Sequence, residues 1–163
     1  MTLAEAAAQA DALAGEGKER ELSQLRAQWD DELEASARAP DFRERVVAYR
    51  AVGQFRFRTK KELLRRGLED GSPAVRGSAL LSLEQLSRDH PSVVNDVRPL
   101  LHEMLTRDGN EAVRRLAVVA LRNGSPRPDT IQILASLGAN DDAPRELRDA
   151  ASKIAQQLRR KSR

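Results

Sequence analysis

The chain has 163 residues, of which 40% are hydrophobic and only 3% aromatic; this is enough to bury one core and fits one compact, mainly helical domain. It has no cysteine, so disulfides, thiol nucleophiles and cysteine-ligated zinc are excluded, and a reducing compartment, the cytoplasm, is expected. The formal net charge is +3, but residues 1–55 hold 7 Lys/Arg against 11 Asp/Glu and residues 56–163 hold 21 against 14, so the two ends are expected to face different partners.

The first segment, residues 1–17, is predicted to form an N-terminal cap or a frayed helix. Its alanines between Leu3 and Ala14 indicate a weakly amphipathic helix, which Gly15 and Gly17 end. The segment lacks the positively charged start of a signal peptide and the apolar length of a membrane span. We therefore expect no association with a membrane.

The next segment, residues 18–39, carries Leu22, Leu25, Trp29 and Leu33 at spacings of 3, 4 and 4 residues. This period places the four side chains on one face of a helix. We predict the first helix of a helical pair, with Trp29 in the core.

A short motif then recurs along the chain: an apolar residue, an arginine, and a small or branched apolar residue four positions after the first. The intervals between copies are 33, 38 and 34 residues. Intervals of this size indicate a stacked helical repeat, in which no unit buries its apolar face alone. The copies are Phe42, Arg43 and Val46; Val75, Arg76 and Ala79; Val113, Arg114 and Ala117; and Leu147, Arg148 and Ala151.

Each of the last three copies follows another apolar helix, so the unit is a helix, a short turn and a second helix. These first helices are predicted at 60–70, 92–108 and 129–141, because leucine and isoleucine recur there at i, i+3 or i+4. The whole chain is expected to contain eight or nine helices. The residues that end first helices or begin second ones are Asp70, Asp108 and Asp141, and Ser72, Asn110, Pro40, Pro73 and Pro144.

The order Ala or Ser, Pro, any residue, apolar, Arg, two residues, Val or Ala, after an Asp that closes the preceding helix, resembles the second helix of HEAT repeats over residues 18–160. The resemblance implies a right-handed α-solenoid of about four stacked helix pairs, with residues 1–17 as a cap and residues 161–163 as a basic tail. It also implies that second helices line a concave face and that each motif arginine bonds a loop Asp of its own or the adjacent repeat.

A basic cluster lies between the first two motif copies, in the sequence FRFRTKKELLRR. Its cations are suited to bind phosphates, and the intervening Phe55 and Phe57 to stack on bases. The alternative is that both phenylalanines fill the core between repeats while the arginines stay in solvent. The six cations are Arg56, Arg58, Lys60, Lys61, Arg65 and Arg66.

A second basic surface is predicted on the last two second helices. Arg114, Arg115 and Arg122 are expected on one helix, and Arg148, Arg159 and Arg160 on the next. Together they would form a stripe for nucleic acid or an acidic peptide, although a merely solvated face is the alternative. The candidate contacts are Arg115, Arg122, Arg159 and Arg160.

The chain contains no catalytic or metal-binding motif. His90 and His102 each lack a second His or a Cys at ligand spacing, and there is no Gly-rich phosphate loop, nucleophile elbow or zinc-protease box. A helical-repeat DNA glycosylase would need stacking aromatics, and Trp29 and Tyr49 are the only Trp and Tyr. We expect no enzyme and no cofactor.

These patterns predict a protein that binds. The leading hypothesis is a non-catalytic protein-interaction scaffold or adaptor that holds a peptide or another protein on its concave face. The alternative is a nucleic-acid-binding helical-repeat protein that uses its basic C-terminal two-thirds. A small repair enzyme or a lyase-type subunit is the third hypothesis.

Overall fold

Ten α-helices and one 3-10 turn form the protein in a computed structural model that describes residues 1–163, and there is no strand. The all-α prediction is therefore confirmed. The chain divides into two compact units, Met1–Leu86 and Ser87–Arg163. The helices are α1 (Leu3–Gly15), α2 (Glu19–Ala37), α3 (Phe42–Gln54), α4 (Lys61–Leu68), α5 (Pro73–Ser87), α6 (Ser92–Asn95), α7 (Arg98–Arg107), α8 (Glu111–Ala120), α9 (Pro128–Gly138) and α10 (Arg145–Lys161), and the 3-10 turn is Leu121–Asn123.

Helix α1 begins with a capping box and packs against both α2 and α3. Thr2 Oγ1 accepts a hydrogen bond from the N–H of Glu5 (3.2 Å), and the Glu5 carboxylate accepts one from the N–H of Thr2 (2.9 Å). These bonds satisfy backbone donors that lack partners at a helix start. Because the buried face consists of Leu3 and alanines, α1 can approach two helices closely.

The apolar stripe predicted on α2 is buried. Leu22, Leu25, Trp29 and Leu33 all face the interior of the first unit. Trp29 is only 7% exposed, so its predicted place in the core is confirmed.

Two glycines let the hairpins α2–α3 and α4–α5 stack closely in the first unit. The N–H of Gly53 in α3 donates to Ser82 Oγ in α5 at 2.9 Å, and a Cβ on Gly53 would lie 2.7 Å from the Cα of Ser82. A Cβ on Gly67 in α4 would lie 2.6 Å from the ring of Tyr49 and 2.9 Å from the Cβ of Ala79. The second helices of the two hairpins therefore meet with almost no side chain between them.

The helix predicted at 92–108 is divided in two, so the protein has ten helices where eight or nine were expected. Helix α6 ends at Asn95 and α7 begins at Arg98. In a continuous helix Pro99 would have no N–H to donate to the Asn95 carbonyl, and its ring would clash with that carbonyl.

The second unit contains two further hairpins, α7–α8 and α9–α10. Helix α7 contacts α9, and α8 contacts α10, so first helices pack on first helices and second on second. The motif alanines Ala117 and Ala151 are fully buried, as is Ala79 in the first unit. Helical hairpins thus build each unit, and the right-handed solenoid of four pairs remains a prediction.

Candidate functional site

Three of the four motif arginines contact the end of the preceding helix or the turn of their own hairpin. The carbonyls at a helix C-terminus lack partners within the helix, so a guanidinium is a suitable donor there. The contacts join Arg76 Nη1 to the Asp70 carbonyl (2.9 Å), Arg114 Nε to the Leu105 carbonyl (2.8 Å) and Arg148 Nη1 to Asp141 Oδ1 (3.6 Å). Arg76 and Arg148 thus reach the loop Asp that the resemblance implies, whereas the Arg114 bond goes to Leu105 of α7.

In the first copy of the motif, Arg45 and not Arg43 has this role. Arg43 is exposed, and its guanidinium contacts only Asp41 (3.2 Å). Arg45 donates Nε and Nη2 to the two carboxylate oxygens of Asp70 (2.9 and 3.1 Å) and Nη1 to two carbonyls of the turn before α3. Burial raises the pKa of Asp70, but hydrogen bonds from Arg45 and from the N–H of Ser72 have the larger effect. The pKa of Asp70 is therefore lowered from its usual value. Arg45 therefore joins the turns of successive hairpins.

This shift of two residues follows from the start of α3. Asp41, and not the proline before it, caps the helix, because its Oδ1 accepts from the N–H of Arg43 at 2.9 Å. Counted from that cap, Ala48 takes the fully buried position that was predicted for Val46, and Phe42 is 46% exposed. The predicted interval of 33 residues for this copy is therefore wrong in register.

Acidic side chains of α1 and α2 neutralise two of the six cations in the cluster of residues 56–66. The ion pairs are Arg56–Asp11 (2.9 Å), Lys60–Asp30 (2.7 Å) and Lys60–Glu34 (2.6 Å). The Lys60 side chain is only 11% exposed. Burial lowers its pKa, but hydrogen bonds to both carboxylates raise it above the usual value. These two cations hold helices of the first unit together.

Both phenylalanines of this cluster lie in the core. Phe55 is fully buried and Phe57 nearly so, with ring centroids 5.6 Å apart, and Lys60 Nζ lies 4.8 Å from the centroid of the Phe57 ring. Neither ring is available to stack on a base, and the alternative that they fill the core is confirmed. The cations that stay exposed are Arg58, Lys61, Arg65 and Arg66.

The stripe predicted across α8 and α10 is interrupted. Arg115 is on α8 and makes an exposed ion pair with Glu146 of α10 (3.3 Å). Arg122 is not on α8, because that helix ends at Ala120 and Arg122 belongs to the 3-10 turn. Lys161 Nζ donates to the Arg122 carbonyl at 2.7 Å, which places this turn against the C-terminal end of α10.

The structure instead gathers cations at that end of the second unit, in what we call the C-terminal basic cluster. Arg122, Arg159 and Arg160 are the three predicted candidates in it, Lys161 and Arg163 belong to the predicted basic tail, and Arg127 was missed. The sequence signal was the run of four cations after residue 158, which resembles an ordinary favourable charge at a helix C-terminus. The members are Arg122, Arg127, Arg159, Arg160, Lys161 and Arg163.

A groove of about 620 Å³ runs along α9 beside the C-terminal basic cluster. Arg159 of α10 and Ser162 directly after that helix line it, together with the neutral polar Gln132 and Ser136. The apolar lining residues are Pro126, Pro128, Ile131, Ala135 and Ala139. Sequence reasoning missed the groove because Ile131 is one of the recurring apolar residues from which the helix at 129–141 was predicted, and these were expected to face the second helix.

A buried hydrogen-bond network lies on the other side of α9. Arg98 is only 6% exposed and donates Nη1 to the Ser125 carbonyl and to Thr130 Oγ1, both at 3.1 Å. His102 Nε2 is 2.9 Å from the same Thr130 oxygen. Burial lowers the pKa of His102; the carboxylate of Asp129 opposes that effect, and the Arg98 cation adds to it.

Acidification below about pH 6.5 is expected to destabilise the second unit. Since the pKa of His102 is lowered from 6.5 in the folded state, the unfolded state binds the proton more readily. The contribution of neutral His102 to the free energy of unfolding is complete above pH 6.5, and it is lost as the pH falls from 6.5 towards the pKa of His102 in the folded protein. Carboxylates with lowered pKa, such as Glu34, titrate from about 4.5 downwards, outside this window. Melting temperatures from about pH 7.5 to 5 should fall more steeply for the parent than for His102→Gln; parallel curves would contradict the prediction.

The fold and these surfaces define an all-α protein whose two units are built of helical hairpins, with an open groove and a basic cluster in the second unit. None of its helices combines the length and hydropathy needed to cross a membrane, and no three His, Asp or Glu side chains are grouped to hold a metal ion. No model of a known protein family matches the chain, and no curated protein matches it. The HEAT resemblance therefore rests on the motif alone.

Proposed function

We propose that the protein is a non-catalytic protein-interaction module, a scaffold or adaptor of the HEAT-like class, that binds a segment of another protein. The observation that carries this proposal is the groove along α9, whose volume of about 620 Å³ is that of a pocket for several side chains. Its lining comes from α9, from Pro126 before that helix and from the C-terminal end of α10, which packs on α9, so the groove exists before the partner arrives and little order has to be gained on binding.

A partner protein suits this groove better than a nucleic acid does. Single-stranded nucleic acids are bound by exposed aromatic side chains as well as cations. Trp29, Tyr49, Phe55 and Phe57 are all buried, which leaves Phe42 as the one exposed aromatic. The lining of the groove is aliphatic and offers no surface on which a base would stack.

The nucleic-acid alternative keeps one observation in its favour, the C-terminal basic cluster. Six cations at one end of a unit would attract phosphates without sequence readout. The resemblance also predicts a binding surface on the second helices. One of these helices, α5, carries an exposed apolar side chain, because Leu81 is 41% exposed. Neither surface combines shape with apolar area as the groove does.

The test is capture from a lysate of the source organism with three forms of the tagged full chain. Ala135→Arg places a long charged side chain in the groove, and Gln156→Arg adds the same charge at an exposed position of α10 that does not line it. We expect one protein to be retained by the parent and by Gln156→Arg at moderate salt, and to be lost from Ala135→Arg. Retention of the same proteins by all three forms, or loss of all binding on nuclease treatment, would overturn the proposal.

A further inference from the structure

We infer that the groove along α9 takes an acidic segment of its partner, with an aliphatic side chain against the apolar lining and carboxylates at the Arg159 end. This inference rests on the proposed function and names the chemistry of the partner. The charge and the lining of the groove carry it.

The apolar lining favours an aliphatic side chain. Ile131 and Ala135 are half-buried, and the polar residues beside them, Gln132 and Ser136, are neutral. An aliphatic side chain of the partner that enters the groove is therefore removed from water, which is favourable, and no charged side chain of the protein loses its hydration there.

Arg159 supplies a cation that the protein itself does not use. Arg159 lines the groove, and its guanidinium makes no hydrogen bond or ion pair within the chain, whereas Arg127 nearby is paired with Asp129 at 3.6 Å. No acidic side chain follows Asp149 in the sequence, and Arg160, Lys161 and Arg163 surround this end of α10. A guanidinium in this position binds a carboxylate through two parallel N–H donors.

The charges also give the groove a direction. Gly138, at the end of α9, packs so closely on Ser152 of α10 that a Cβ would overlap it. Arg159 lies two helical turns further along α10, beside Pro128 at the start of α9. At this end Asp129 is exposed but is paired with Arg127 (3.6 Å). The opposite end is followed by Asp141 and Asp142, which are exposed; Asp141 is paired with Arg148 (3.6 Å), and Asp142 has no such cation partner. The carboxylates of the partner are thus expected beside Pro128 and away from the turn after α9.

The experiment measures fluorescence anisotropy of a labelled peptide, Gly-Ser-Glu-Glu-Leu-Glu-Glu-Leu-Glu-Glu-Gly-Ser, with the full chain. Two control peptides replace every Glu by Gln or every Leu by Ser, and a labelled DNA duplex tests polyanions. The protein variants are Arg159→Glu, Ala135→Arg and, as a control of equal charge change, Arg65→Glu, whose side chain is exposed in the first unit. Circular dichroism confirms that each variant is folded.

We expect the acidic, leucine-containing peptide to bind, and both control peptides to bind at least about tenfold more weakly. Arg159→Glu and Ala135→Arg should each weaken binding about tenfold or more, and Arg65→Glu should change it less than about twofold. Equal affinity for the Gln peptide, or equal loss in Arg65→Glu, would overturn the inference. The inference would also be overturned if the DNA duplex bound more tightly than the peptide and Arg159→Glu weakened binding of the duplex.

The failure of this inference is distinguishable from failure of the proposed function. If no peptide binds, or if binding ignores the carboxylates, while Ala135→Arg still loses a protein from the lysate, the groove binds a partner of another chemistry. If capture from the lysate is also unaffected by Ala135→Arg, the groove is not an interaction site and both proposals fall.

Discussion

Replacing Gly53 by alanine is expected to lower the free energy of unfolding by about 1–3 kcal/mol, as overpacking in a close helix contact does. A Cβ at this position would lie 2.7 Å from the Cα of Ser82 and 2.9 Å from Gln85 Oε1. Alanine is the better helix former by about 1 kcal/mol, but the clash involves backbone that cannot rotate away. The two helices would have to separate along α3 and α5.

Gly15→Ala is the matched control, because Gly15 ends α1 in the same unit and an added Cβ would meet nothing within 4 Å. Thermal melts followed by circular dichroism should show a lower melting temperature for Gly53→Ala and an unchanged or slightly higher one for Gly15→Ala. If Gly53→Ala melted at or above the parent temperature, the close approach of α3 and α5 would be wrong.

Arg45→Gln is expected to lower the melting temperature by about 5 °C, whereas Arg43→Gln should change it by less than about 1 °C. Arg45 makes a bidentate ion pair with Asp70 and two bonds to backbone carbonyls, and removing it leaves a largely buried carboxylate without its partner. Arg43 is 79% exposed in its side chain and contacts only the cap of its own helix.

The pH dependence of this difference gives a second readout. Since the pKa of Asp70 is lowered from 3.8 in the folded state, the ion pair stabilises the fold above pH 3.8, and the effect disappears as pH falls through the folded pKa. The melting temperatures of the parent and Arg45→Gln should therefore converge in acid. If Arg43→Gln lowered the melting temperature at neutral pH more than Arg45→Gln did, the register that the motif spacing predicted would be correct.

The sequence allowed much of the helical architecture to be predicted, because helix formation and burial follow local spacing. Leucines three and four positions apart identified the buried faces of α2, α4 and α7, and the motif spacing identified Ala79, Ala117 and Ala151, which are fully buried. These features depend on a period of 3.6 residues and on side-chain size, both of which a sequence displays directly.

The candidate site could be predicted only in part. Arg159 was identified from its position on a charged helix, and the structure places it in the groove. Arg56 and Lys60 were candidates of the same kind, yet acidic residues 26 to 45 positions away neutralise them. Nothing in their own segment distinguishes a cation that pairs within the fold from one that remains in solvent.

What the sequence by itself determined was the all-α class, the recurring hairpin and the residues that face the core, since each follows from interactions within one or two helical turns. Tertiary structure alone decided that Arg45 rather than Arg43 reaches Asp70, that Gly53 meets Ser82 without an intervening side chain, and that the end of α10 lines a groove on α9. These contacts join residues about 25 or more positions apart, and their geometry depends on how the hairpins pack, which no local pattern of residue types encodes.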